Sequence, residues 1–201
     1  MCARYYVPQT PLDEEDDRDL ERELLEAENR GRLKDPAFRL KRGEIRPGDM
    51  AAVIARGRQT GKAAAYPMLW GFHTAQGLVF NARSESIADK PIFSESFRHR
   101  RCLVPMNAYF EWDHRQKPMI KYQFAPLKRR SWFAGLYRFE AEQPVFTILT
   151  RPAATDIADF HDRMPVMLEA TAGNLWLLGS QEEAAKALYA SLEELRYGAV
   201  C

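Results

Sequence analysis

The sequence predicts a single α+β domain, a mainly antiparallel, barrel-like sheet system with helices around it. Three observations carry this reading. The 201 residues contain no repeat, low-complexity tract or interdomain linker, so residues 1–201 read as one domain. From about residue 44 the chain breaks into short β-type runs separated by Gly and Pro. Helical patterning is confined to 11–30, 86–100 and the last quarter. A chain of this length can bury about 70% of its unfolded surface without staples.

The first helix is predicted over 11–30. Thr10-Pro11-Leu12-Asp13 supplies an N-cap, a proline at N1 and an acid at N3, and Gly31 offers the stop. Leu20, Leu24 and Leu25 form a narrow apolar stripe, which makes this a surface helix docked by few residues and a candidate insertion. A plain acidic surface helix and a lid over the basic body are both open at this level. Arg46-Pro47-Gly48-Asp49 marks a turn before the apolar run 50–55. Tyr66–Phe72 and Gly77–Arg83 read as two strands paired through a short turn. A helix over 86–100 ends in the basic cluster Arg98, His99, Arg100 and Arg101. Strands follow at 102–112, 118–124, 131–139 and 144–150, then a short helix at 155–162, a strand at 165–168, and helices at 172–179 and 181–196. Trp132, Phe133, Leu136, Trp176, Leu177 and Leu178 are expected in the core.

Composition narrows the class. Apolar residues at 46% and charged residues at 28% describe an ordinary globular protein. Cys2, Cys102 and Cys201 are odd in number and lack CxxC spacing, so a disulfide framework and structural zinc are not expected. No signal-peptide core or membrane-length apolar run stands out, which points to a cytoplasmic protein, nucleoid-facing if bacterial. The net charge of +1 conceals −8 on residues 13–28 and therefore +9 on the rest, a balance that suits a polyanion partner.

Four places could carry chemistry. With Met1 removed, Cys2 presents an α-amine and a thiol on adjacent carbons, both titrating near neutrality at about 8 and about 8.5. Such a pair can condense with an aldehyde to an imine and close to a thiazolidine. Asn81-Ala82-Arg83-Ser84-Glu85 leaves a strand at a loop, where Asn81 can donate and accept and Arg83 suits a phosphate. Tyr109-Phe110-Glu111-Trp112 sets a carboxylate among aromatics. If buried, Glu111 has a raised pKa and suits general acid–base work; strand alternation alone would turn it to water. In Phe160-His161-Asp162-Arg163-Met164-Pro165, His161 is placed to titrate near neutrality and Arg163 to hold a phosphate or pair with Asp162. None of the histidines shows metal-ligand spacing, and no cofactor motif stands out.

These runs occur together in a known order. Cys2 with Arg4, the 81–85 run, Arg101-Cys102-Leu103-Val104-Pro105, Phe110-Glu111-Trp112 and His161–Pro165 resemble the SRAP (SOS response-associated peptidase) family, the abasic-site processing proteins. The resemblance spans essentially the whole chain. It implies that Cys2 becomes the mature N-terminus and crosslinks to the ring-opened aldehyde of an abasic site in single-stranded DNA, with no metal or other cofactor. It also implies active-site positions at Asn81, Glu111 and His161, and a DNA groove served by Arg4, Trp70, Arg83 and Arg163. Read locally, Trp70 either stacks on a base or fills core beside Phe72. AP-lyase and Cys2-dependent (auto)peptidase activities belong to the same resemblance, and a non-catalytic single-strand or junction reader is the alternative from another class. A monomer is the default, and replication-fork proteins are conceivable partners that the sequence does not specify. Two glycines usual in the family are alanines here, Ala3 and Ala108.

Overall fold

The computed structural model describes residues 3–9, 15–127, 130–192 and 194–200. In chain order the strands are β1 (Tyr5–Val7), β2 (Gly43–Ile45), β3 (Met50–Arg56), β4 (Ala63–Trp70), β5 (Phe72–Thr74), β6 (Gly77–Val79) and β7 (Asn81–Arg83). They continue as β8 (Arg101–Pro105), β9 (Ala108–Asp113), β10 (Ile120–Pro126), β11 (Trp132–Glu140), β12 (Gln143–Pro152), β13 (Arg163–Pro165), β14 (Met167–Leu168) and β15 (Leu195–Ala199). The helices are α1 (Glu15–Arg32), α2 (Pro91–His99), α3 (Thr155–Ala158), α4 (Ala170–Leu178) and α5 (Gln181–Ala187).

Five strands, in the order β12-β4-β3-β8-β11, close into a barrel because β11 also pairs with β12. Every contact around the ring is antiparallel except β4 beside β12. So few strands leave room inside only for close packing. Gly135 on β11 is the clearest instance, since a Cβ there would sit 2.9 Å from the Thr147 carbonyl oxygen and 3.0 Å from Cys102 Sγ. β12 is long enough to serve two sets of neighbours. Its first half pairs with β4 and β11, and Ile148–Pro152 pairs with β7 on one side and β13 on the other. A second, fully antiparallel sheet runs β15-β10-β9-β1-β2. Tyr5 joins the two units: its ring meets Trp70 and Phe133 edge-on at 5.2 and 5.7 Å.

The structure redraws several sequence expectations. The 102–112 run is two strands in two sheets, parted after Pro105, with the Asn107 N–H donating to Tyr6 O. β4 pairs with β3, and only β5 and β6 form the short hairpin expected between 66 and 83; Gly71, at φ +124°, makes the turn that separates β4 from it. The middle helix begins at Pro91, because a proline holds Lys90 extended and lacks the N–H that an interior helix position needs. The last helix stops at Ala187, and Leu195–Ala199 is a strand on the edge of β10. There Tyr197 and Gly198 suit a pleated edge better than a helix. Leu178 is exposed, not core.

α1 runs over the barrel with Leu20, Leu24 and Ala27 buried, while Leu25 is exposed. Its proposed cap at Thr10–Asp13 lies outside the described residues. Its acidic side chains add polar anchors to the apolar stripe. Glu23 pairs with Arg130 and accepts from Trp132 Nε1 at 3.3 Å, Glu21 takes both forks of Arg42 at 2.6 and 2.7 Å, and Glu26 accepts from the Ala65 N–H. Burial pushes the Glu23 carboxyl up to about 7 against the pull of Arg130. α1 is therefore a docked helix pinned by ion pairs at several points along its length. No helix among the described residues is long and apolar enough to cross a membrane.

Candidate active site

The site is built where β1, β9, β10 and the 160–163 turn converge. β1 lies between β2 and β9, with Tyr5 opposite Tyr109, Tyr6 opposite Ala108, and the Phe110 N–H donating to Arg4 O at 3.0 Å. Carried on to the first described residue, this register brings Ala3 level with Glu111. Cys2, on which the proposed covalent chemistry turns, lies outside the described residues. Glu111 is only 4% exposed. It faces the same side of its sheet as its cross-strand partner Tyr122. Burial, reinforced by the charge of Asp162, pushes the Glu111 carboxyl up to about 7. At neutral pH it is divided between acid and base forms.

The Tyr122 ring rests on Phe160 at 4.7 Å, and the next residue is His161. His161 is half-buried, and burial lowers its pKa, so the neutral ring is favoured. Its Nδ1 lies 2.9 Å from the Arg163 backbone nitrogen and 2.7 Å from Asp162 Oδ1. These contacts ask for opposite states, because the N–H needs a lone pair on Nδ1 and the carboxylate needs a proton there. The backbone N–H is fixed by the turn, whereas the Asp162 side chain is 80% exposed and free to hydrate. With the ring neutral, Nδ1 accepts from Arg163 and Nε2 carries the proton.

Asn81 and Arg83 stand on β7, opposite Ile148 and Thr150 of β12. Arg163, on the far side of β12, donates to Thr150 O at 2.7 Å and clamps Glu85 with both terminal nitrogens. That clamp holds Glu85 at about 2. The 81–85 and 161–165 runs are thus tied across one strand, and the charge of Asp162 in the second run is felt at Glu111. Arg83 is exposed.

Three of the groove residues expected from sequence sit differently. Trp70 is a core residue at 0% exposure, donating through Nε1 to Phe80 O at 2.9 Å and stacked on Phe146, so it has no face to offer a base. Arg163 is 9% exposed and its guanidinium is taken up by Glu85 and Thr150, so it orders the site's edge and has little left for a phosphate. Arg4 alternates with Tyr5 and turns to the reverse face of the sheet from Glu111. There it lies over Trp112 at 4.8 Å and bonds Glu44 at 2.8 Å. Sequence reasoning also passed over Tyr122, Phe160 and Tyr197 as a group; only the pairing of β15 with β10 assembles them. Among the described residues no group of three or more His, Cys, Asp or Glu side chains is placed to hold a metal ion.

A family model for the SOS response associated peptidase (SRAP) matches residues 1–200. The chain belongs to the SRAP family. Among curated relatives, this SRAP chain is 37% identical over 109 residues to "Abasic site processing protein YoaM" of Bacillus subtilis, covering 49% of the chain and 47% of that protein. It is 27% identical over 119 residues to "Abasic site processing protein YedK" of Escherichia coli, covering 55% and 54%. The alignments thus span about half the length of these curated relatives. Two solved structures share the fold of the SRAP chain. A Bacteroides thetaiotaomicron protein superposes with a TM-score of 0.75 at 18% identity, covering 100% of this chain and 92% of its own. A phage-related protein of Bordetella bronchiseptica gives 0.72 at 24%, covering 99% and 94%.

Proposed function

We propose that this SRAP chain recognises abasic sites in single-stranded DNA and joins itself to them through Cys2. The observation that carries this reading is the β1–β9 register, which brings Ala3, next in sequence to Cys2, level with a buried carboxyl poised near neutrality. The names of the relatives, abasic site processing proteins, supply the substrate class.

In the proposed sequence the abasic sugar enters as its cyclic hemiacetal. His161 hydrogen-bonds the ring oxygen through Nε2–H; in its protonated fraction Nδ1–H pairs with the Asp162 carboxylate in place of accepting from Arg163, and Nε2 supplies the proton that O4′ needs as the C1′–O4′ bond breaks. The C1′ hydroxyl gives up its own proton to the Glu111 carboxylate, leaving an aldehyde. The α-amine of Cys2 adds to C1′, protonated Glu111 assists loss of one water, and an imine forms. The thiol then adds across the C=N bond, its sulfur to C1′ and its proton to nitrogen, closing the thiazolidine. A positioned acid–base group is worth about 10²–10⁴ in rate. Asn81 orients the sugar or Cys2, and Arg83 takes a phosphate from the exposed end of β7.

The test is a denaturing gel. Protein with Met1 removed, verified by intact mass, is incubated with a single strand bearing one abasic site. A heat-stable shifted band that Cys2→Ala abolishes and Glu111→Ala slows is expected. Binding under native conditions with no shifted band would overturn the covalent reading in favour of a reader. Hydrolysis of unrelated peptides dependent on Cys2 would favour a peptidase.

A further inference from the structure

We infer that Tyr197 on the last strand is a base-stacking residue that recognises the nucleotide next to the lesion; this rests on the proposed function above and adds a binding contact to it. Tyr122, directly opposite Glu111, meets Phe160 at 4.7 Å and Tyr197 at 6.4 Å. Phe124 stacks on Tyr197 at 5.3 Å, and Phe160 meets the same ring edge-on at 5.3 Å. One continuous aromatic cluster therefore runs from the carboxyl that would catalyse and the turn carrying His161 out to the surface. Its members differ in exposure in a telling way. Phe124 is fully buried and Phe160 nearly so, while Tyr197 is 48% exposed. An aromatic ring packed on one side and open on the other, at the rim of a site for single-stranded DNA, is the arrangement that stacks a base.

The same geometry explains why the ring is stiff enough to serve. β15 pairs with β10 through five registered residues, Phe124 opposite Tyr197 and Tyr122 opposite Ala199. The ring is braced by both Phe124 and Phe160, so little side-chain freedom is left to lose on binding. An abasic nucleotide offers no base of its own, and affinity for the damaged strand must come from phosphates and from neighbouring bases. A stack at Tyr197 would be indifferent to which base stands there, because every base presents a π-face.

Binding is measured by anisotropy with a single strand containing a tetrahydrofuran abasic analogue, which cannot open to an aldehyde, so the readout is independent of crosslinking. A second strand carries the same analogue at the two neighbouring positions as well. Tyr197→Leu keeps apolar cover over the cluster but loses the ring. It should weaken binding to the first strand about 5- to 100-fold and leave binding to the second within about two-fold of wild type. Tyr197→Phe should bind both as wild type does. 2-Aminopurine placed beside the lesion should be quenched on binding wild type and Tyr197→Phe, but not Tyr197→Leu. Equal losses on both strands, or no loss on the first, would overturn the inference. Wild-type protein that binds the first strand yet forms no adduct with the aldehyde-bearing strand would instead sink the covalent reading and leave Tyr197's stacking to stand.

Discussion

Replacing Glu111 by Gln tests the site's electrostatics without reference to any substrate. The carboxyl is raised from 4.5 to about 7, with burial as the leading cause. A carboxyl whose folded pKa lies above its unfolded one binds more protons folded than unfolded between the two values. Its contribution to stability is whole below pH 4.5, falls as pH rises through that window, and is gone above about pH 7. Each pKa unit is about 1.36 kcal/mol, so the span amounts to roughly 3 kcal/mol. Glu111→Gln cannot ionise and lacks this penalty. Denaturant unfolding of wild type and variant from pH 4 to 9 should show the variant gaining on wild type by up to about 3 kcal/mol, most of it between pH 5 and 7. Glu23, raised by burial, lies on α1 in both proteins and cancels in the difference. A difference that stays flat across that range would refute the claim that Glu111 is held in a desolvated, proton-retaining position.

Four further outcomes follow from the packing, the ion pairs and the exposed Arg83. Trp70→Ala should cost about 3–5 kcal/mol in chemical unfolding, and the milder Trp70→Phe should leave the salt dependence of single-strand binding untouched. Arg130→Ala strands Glu23, whose side chain is 12% exposed, and should cost about 3–5 kcal/mol by the same assay at pH 8; pairing it with Glu23→Met should recover most of that loss. Arg83→Ala should lower the slope of log affinity against log salt by about 0.7, as loss of one phosphate contact on a single strand does. Arg163→Met should instead lower the unfolding midpoint by removing the donor to Thr150 O.

The fold class and most strands were legible because alternation and turn residues are local signals. What was not legible depended on distant partners. Nothing near Trp70 says that Phe146 and Phe80 will close over it, so the local sequence admits both of its readings. The burial of Glu111 follows from Tyr122 and the 160–162 turn, more than ten and nearly fifty positions away, and strand alternation by itself argued the other way. Arg163 illustrates the same limit. A surface phosphate ligand and a buried clamp on Glu85 have the same local spelling, and only the strand between them decides. The helix expected over 181–196 runs past its real end into the first residues of the 195–199 strand, because that strand's pairing energy comes from β10, which a window of neighbouring residues does not contain.

The short first strand works as a gauge. Held on both edges, it fixes the register of Ala3 and Arg4 just ahead of it, each residue advancing the chain about 3.3 Å and swapping its side. An insertion or deletion between Ala3 and Tyr5 would therefore misplace whatever precedes it by both distance and face. A change of side chain at Ala3 would leave that spacing intact. The stretch from Ala3 to Tyr5 should accept altered spelling far more readily than altered length.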